Sequence, residues 1–153
     1  MEADTVAHCG GSLSGEHCWS VTVSDVHTQW TKTRATANRG REAVLRRIAE
    51  IEECLPFAVL GFDTDNGGEF LNWHLVDYFQ KREKPVAFTR SRAYRKNDNA
   101  RVEQKNRTHV RELMGYGRLE LLGLQADLVG RSALVGDGMI LLNPRPRQAP
   151  PPP

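Results

Sequence analysis

Between Cys18 and Cys54 the apolar residues change their period, and that change restricts the chain to a layered α/β domain. Cys18-Trp19-Ser20-Val21-Thr22-Val23 alternates apolar with polar and is rich in β-formers, the pattern of a strand with one buried face. Gln29 to Ala35 predicts a further strand, and Thr5 to Cys9 an earlier one, set off by the turn Gly10-Gly11-Ser12-Leu13-Ser14-Gly15. From Arg39 to Cys54 the spacing becomes helical, with Val44, Leu45, Ile48 and Ile51 on one side. A three-stranded meander that runs into an amphipathic helix lays that helix on the sheet, because neither buries its apolar side alone.

The pattern then repeats as strand, helix, strand, helix. Phe57-Ala58-Val59-Leu60-Gly61-Phe62 is a continuous apolar run, which suits a strand buried on both faces. Glu69 to Lys81 predicts a second helix, with Phe70, Trp73, Leu75, Tyr78 and Phe79 as its apolar side. Pro85 to Phe88 reads as a fifth strand, Arg90 to Arg101 as a polar loop, and Ala100 to Met114 as a third helix. Val102, Val110 and Leu113 face inward on that helix, and Gly115 stops it. The expected fold is α/β, a mixed five-stranded sheet flanked by helices. Trp19, Trp30, Trp73 and Cys54 are assigned to its core.

After residue 119 the texture changes, and the chain ends Asn143-Pro-Arg-Pro-Arg-Gln-Ala-Pro-Pro-Pro-Pro153. Residues 1–119 are expected to be the folded core and 120–153 an irregular, proline-rich, disordered tail. One domain suits 153 residues. A net charge of +2 does not by itself argue for a polyanionic partner. No stretch approaches the roughly 18 apolar residues of a membrane span, and the N-terminal residues are not a secretory signal. Three cysteines are an odd number, which fits a reduced, cytoplasmic chain better than a disulfide framework.

Two stretches carry chemistry. Phe62-Asp63-Thr64-Asp65-Asn66-Gly67-Gly68-Glu69-Phe70 reads as a strand ending on a carboxylate and a sharp turn. Asn97-Asp98-Asn99-Ala100-Arg101-Val102-Glu103-Gln104-Lys105-Asn106 reads as a helix entry with a glutamate in its first turns. Paired carboxylates on rigid elements, with basic residues around them, suit a hard divalent cation facing a polyanion. Together the stretches resemble the catalytic core of retroviral-type integrases and insertion-sequence transposases.

The resemblance spans roughly residues 2 to 119, and 37 residues separate Asp65 from Glu103, close to the spacing familiar in that family. It implies a ribonuclease-H-like fold and an acidic (DDE) triad of Asp4, Asp65 and Glu103. These would hold Mg2+ or Mn2+, as two ions, for DNA cleavage and strand transfer. Asp25 is the alternative first acid, but it reads better as a turn residue between the second and third strands. Asp4 has three residues before it, and terminal residues fray unless tied down, so the first strand is expected to be short. Val110 departs from the family, which commonly has a basic residue there; Arg111 follows.

The basic loop supplies the nucleic-acid signal. Five of the twelve residues from Arg90 to Arg101 are Lys or Arg. Arg92, Arg95, Lys96, Arg101, Lys105, Arg107 and Arg111 are the candidate phosphate contacts, and Tyr94 a stacking platform. Asn66 and Asn106 are candidates for orienting ligands or DNA. A solvated loop is the plainer reading of any such charge run.

Rival site readings are weaker. A calcium loop counted from Asp63 meets Gly68 at its sixth position but His74 where the closing acid belongs. His8-Cys9 and His17-Cys18 suggest zinc, yet neighbours on a strand point to opposite faces, so buried hairpin residues are the better reading. The resemblance implies a DNA transposase or integrase core, acting on DNA as a homo-oligomer, nucleoid-associated in a prokaryote, with no membrane partner. The alternative is a truncated, non-catalytic remnant that binds DNA weakly or folds poorly alone, suggested by the missing flanking DNA-binding domains.

Overall fold

The computed structural model describes residues 1–70, 72–92 and 100–119, together with 134–135 and 139–140. Its elements are β1 (Glu2–His8), β2 (Cys18–Ser24), β3 (Thr31–Thr36), α1 (Arg41–Glu53), β4 (Gly61–Thr64), α2 (Trp73–Gln80), β5 (Ala87–Arg90) and α3 (Ala100–Lys105). The last helix continues as a π-helical stretch, Asn106–Arg111, and a final α-helical Glu112–Met114. Gly115 ends it at φ 74°, its N–H donating to the Arg111 carbonyl at 2.8 Å, as expected of a helix-stop glycine. Two short strands, β6 (Leu134–Val135) and β7 (Met139–Ile140), pair with each other, and β7 joins the edge of β3. The remainder of 120–153 lies outside the described residues, as does the Leu113 side chain.

The core sheet has the order β5-β4-β1-β2-β3. β1, β2 and β3 form the antiparallel meander, while β4 and β5 join β1 in parallel. This is the mixed five-stranded sheet that the periodicities predict. The first strand is longer than expected: it pairs along seven residues with β2 and on its other side with β4.

The period-2 alternation of β1 separates the two faces of the sheet. Ala3 enters the main core with Val21, Val23, Val44, Ile48, Ile51, Phe62, Phe70, Leu75 and Phe79, beneath α1 and α2. Phe62 stacks on Phe79 with ring centroids 4.4 Å apart. Glu2, Asp4, Val6 and His8 share the opposite face, which α3 covers. There Val6 packs with Val110 and Met114 in a small second cluster.

Further expectations change, among them Trp19 and Trp30, which are half-buried and belong to neither core cluster. The apolar run is not itself the strand: pairing begins at Gly61 opposite Ala87, and Leu60 is 84% exposed. An apolar run does not show where a ladder starts, because that depends on the partner strand. Helix α2 begins at Trp73 rather than Glu69, because Asn72 caps it, accepting from Leu75 N–H at 3.0 Å. Trp73 therefore occupies the first helical position and is 80% exposed rather than in the core. Cys54 is also exposed, since it caps α1 beyond the last inward residue, Ile51.

Candidate active site

The register brings Asp4 and Asp65 together. β1 and β4 are parallel, with Glu2 opposite Asp63 and Ala3 opposite Thr64, so the next step along both strands sets Asp4 beside Asp65. Asp4 is held rather than frayed. Its Oδ1 accepts from Thr5 N–H at 2.7 Å, and its Oδ2 from Asn106 Nδ2 at 2.8 Å. Burial raises its pKa to about 6. The Thr5 hydrogen bond opposes that rise; the negative charge of Asp65 adds to it, the Asn106 bond opposes it again, and Glu103 adds more weakly. Asp65 is also raised, chiefly by burial and then by Glu69, against the Gly67 hydrogen bond and Arg39.

Gly67 shows why this turn carries a glycine. Its N–H donates to Asp65 Oδ1 at 2.8 Å. A Cβ at Gly67 would stand 2.8 Å from Glu69 Oε2 and 2.9 Å from Asp65 Oδ1. A methyl group would thus push both carboxylates from their places. Glu69 itself is buried and accepts from the Thr5 hydroxyl at 2.8 Å, with Arg39 Nη1 at 3.9 Å. It lies inside the Asp-Asn-Gly-Gly-Glu-Phe stretch, where no local pattern marks it as a site residue. Only the folded turn brings it back beside Asp65.

The third acid arrives on α3, which runs along β1. Glu2 Oε2 accepts from Val102 N–H at 3.1 Å, Asn106 reaches Asp4, and Val110 packs on Val6. The steps 102, 106, 110 match the alternate residues 2, 4 and 6 of β1, so one face of the helix reads one face of the strand. Beyond Lys105 the helix widens, and Glu112 N–H donates to the Arg107 carbonyl, a five-residue step. Glu103 stays exposed. Among the described residues no group of three or more His, Cys, Asp or Glu side chains is gathered to hold a metal ion. What the structure does offer a cation is a pair of half-buried carboxylates of hard oxygen chemistry, Asp4 and Asp65, whose repulsion a positive charge would relieve.

The remaining predicted residues fall as follows. Asn66 Nδ2 donates to the Ser91 carbonyl at 3.0 Å, fastening the Asp65 turn to the entry of the basic loop. Asn106 is buried, and its Oδ1 has no hydrogen-bond partner among the described residues. Arg92 and Arg107 are exposed, and Arg107 stands 3.8 Å from Glu112. Arg101 donates to the Val26 carbonyl. Lys105 is half-buried, and Arg111 lies over the Tyr116 ring at 5.3 Å. Tyr94, Arg95 and Lys96 lie outside the described residues.

The weaker alternatives resolve into local structure. Asp25 closes the β2–β3 turn, its Oδ2 accepting from both the N–H and the hydroxyl of Thr28 at 2.7 Å. His8 and His17 are buried hairpin residues, and His8 bonds Ser20 Oγ at 2.7 Å.

No family model matches the chain. Among solved structures the fold is similar to a chain of the simian T-cell lymphotropic virus intasome in complex with PP2A regulatory subunit B56 gamma. That match has TM-score 0.61 and 11% identity, covering 89% of this chain and 43% of that one. The HTLV-2 integrase catalytic core domain in complex with magnesium matches in its dimeric form with TM-score 0.56 and 12% identity, over 84% of this chain and 72% of that one. Its trimeric form gives TM-score 0.53 and 13% identity, over 84% and 71%. At such identities the likeness is one of fold: the chain has the ribonuclease-H-like architecture of integrase catalytic cores. In sequence, the chain is 41% identical over 119 residues to the uncharacterized protein y4rM of Sinorhizobium fredii (strain NBRC 101917 / NGR234). That alignment covers 78% of this chain, which spans about a third (33%) of that protein's length.

Proposed function

We propose that this chain is the catalytic core of a DNA transposase or integrase, cutting and joining DNA strands. The observation that carries the reading is the register of β1 and β4, which sets Asp4 beside Asp65 at a strand end with both carboxyls pushed up. Asp4, Asp65 and Glu103 would hold Mg2+ or Mn2+. When bound, such ions supply an activated oxygen nucleophile and stabilise the leaving oxygen of a phosphodiester. Closure of that set needs Glu103 to come in from solvent.

The chain's own residues have distinct parts in this reading. Asn106 and the Thr5 N–H orient Asp4. Gly67 and Glu69 fix the turn that aims Asp65. Lys105, Arg107 and Arg111 extend from the glutamate along the helix and offer phosphate contacts, as does Arg101 in the first turn of α3; Arg92, Arg95 and Lys96, which precede it in the sequence, complete the basic set. Tyr94 offers a stacking face. DNA is the partner, and the active form is a homo-oligomer, because strand transfer joins two ends; the HTLV-2 core in its dimeric and trimeric forms is in keeping with that. Among the described residues no helix is long and apolar enough to cross a membrane.

A strand-transfer assay on pre-cut DNA ends tests the reading. Metal-dependent joining that Asp65→Asn abolishes supports it. Cleavage without joining assigns the site to a nuclease of the same fold. Salt-sensitive DNA binding without either activity favours the second reading, a non-catalytic relative, which the outward position of Glu103 supports.

A further inference from the structure

A second feature lies beside the Asp65 turn and belongs to none of the acids. Trp73 is 80% exposed at the start of α2. A tryptophan left in water forgoes the burial that a ring of this size normally brings. It borders a cleft of about 450 Å3, which Arg41, Asn72, His74, Phe88 and Arg90 also line, a size within the roughly 300–1,000 Å3 of small-molecule sites.

The lining is cationic and aromatic, with no carboxylate among the described residues. Arg41 and Arg90 are exposed and make no ion pair among the described residues. Phe88 and Arg90 alternate along β5 onto one face, while Arg41 opens α1. The cleft adjoins the candidate site through the ladder: Arg90 is opposite Thr64, the residue before Asp65, and Ser91 N–H donates to the Thr64 carbonyl at 2.8 Å.

We propose that this cleft binds one unpaired nucleotide of a DNA strand leading to the acids. Its base lies against the Trp73 indole and its flanking phosphates against Arg41 and Arg90. The combination decides the occupant. An apolar peptide would gain nothing from two exposed guanidiniums, and an acidic peptide would leave the indole without a flat partner. A nucleotide uses both, since every base offers a π-face and every linkage an anion. The proposal rests on the DNA-acting reading above and adds a strand path on the α1–α2 side, away from the α3 arginines.

The test is fluorescence anisotropy of the full chain with a labelled oligothymidylate and with a duplex, over a salt series. Trp73→Ala should weaken single-strand binding about tenfold, and Trp73→Phe should restore most of it. Arg41→Ala and Arg90→Ala should each lower the salt slope by roughly 0.7. These side chains are exposed, so the melting temperature should stay within about a degree of wild type. Single-strand binding unchanged in Trp73→Ala and in the double arginine variant overturns the proposal. So does loss of self-association in Trp73→Ala with DNA binding intact, which would assign the cleft to a second copy of the chain. Lys105→Ala/Arg107→Ala separates the two readings. If that variant loses duplex binding while the Trp73 variants bind normally, the cleft is wrong and the DNA-acting core stands. A wild type that binds no DNA defeats both.

Discussion

The two faces of the sheet are built from different materials. Beneath α1 and α2 the contacts are apolar, with Ile48, Ile51, Phe62, Phe70 and Phe79 all at 2% exposure or less. Beneath α3 they are largely polar. Glu2, His8 and Asn106 are buried on the face that carries Asp4, and Val6, Cys18, Val102, Val110 and Met114 add a smaller apolar burial. Burial of the first kind is non-directional and stabilises in proportion to area. Burial of the second kind costs free energy unless every group finds a partner, and Asn106 Oδ1 and His8 Nδ1 have none among the described residues. The α1–α2 face thus holds the fold together, and the α3 face holds a charge arrangement at some expense of stability.

Breaking the first face should have the largest effect. Phe79→Ala should cost about 3–5 kcal/mol and show as a lower urea midpoint, whereas Val110→Ala, in the smaller cluster, should cost about half as much. Equal losses would remove the distinction between the faces.

The second face should behave in the opposite sense at neutral pH. The folded-state pKa of Asp4 is raised to about 6, above its ordinary value. The folded state therefore binds more protons than the unfolded chain between about pH 4 and 6, and stability falls as pH rises through that window. His8 is pushed down to about 4, by burial first and then by Arg111 and His17. It acts in the reverse direction, its contribution growing as pH rises from about 4 towards its ordinary value of 6.5. The contrast is cleanest as a difference: Asp4→Asn should be more stable than wild type at pH 7.5, by on the order of 2–3 kcal/mol, and the gain should vanish near pH 4. Mn2+ should raise the melting temperature of wild type and not of Asp4→Asn or Asp65→Asn. A wild type indifferent to Mn2+ would mean that the acids do not form a cation site.

Smaller substitutions sharpen the picture of the Asp65 turn. Gly67→Ala should lower strand transfer about 10- to 100-fold and flatten the Mn2+ response, with little loss of stability, since the displaced groups are the Asp65 and Glu69 carboxylates. Glu69→Gln keeps an acceptor for the Thr5 hydroxyl and removes the charge. It should weaken the apparent Mn2+ affinity by roughly tenfold or less, with an unchanged melting temperature. An effect on stability alone would make Glu69 a structural residue.

Much of this arrangement is legible in the chain. The alternation at 18–23, the helical spacing of Val44, Ile48 and Ile51, and the glycine at 115 mark their elements because each is a local rule of backbone and burial. Asp65 and Glu103 stand out because their flanking residues form two recognisable stretches. The places where the local rules fail have a shared cause. Leu60, Trp73 and Cys54 are apolar residues that a window average assigns to the core, yet each sits at the boundary of its element: Leu60 just before the β4 ladder, Trp73 at the first position of α2 and Cys54 at the cap of α1.

The sequence by itself thus determined the order of the elements, most of the inward faces of the helices and the candidate acids. Tertiary structure alone decided that Asp4 stands firmly beside Asp65, that Glu69 turns back to join them and that Glu103 faces solvent. It also decided that Trp73 opens a cleft with two arginines from distant segments. These are matters of register and of one strand's position against another. They depend on pairings between residues about 60 positions apart, which no local period encodes.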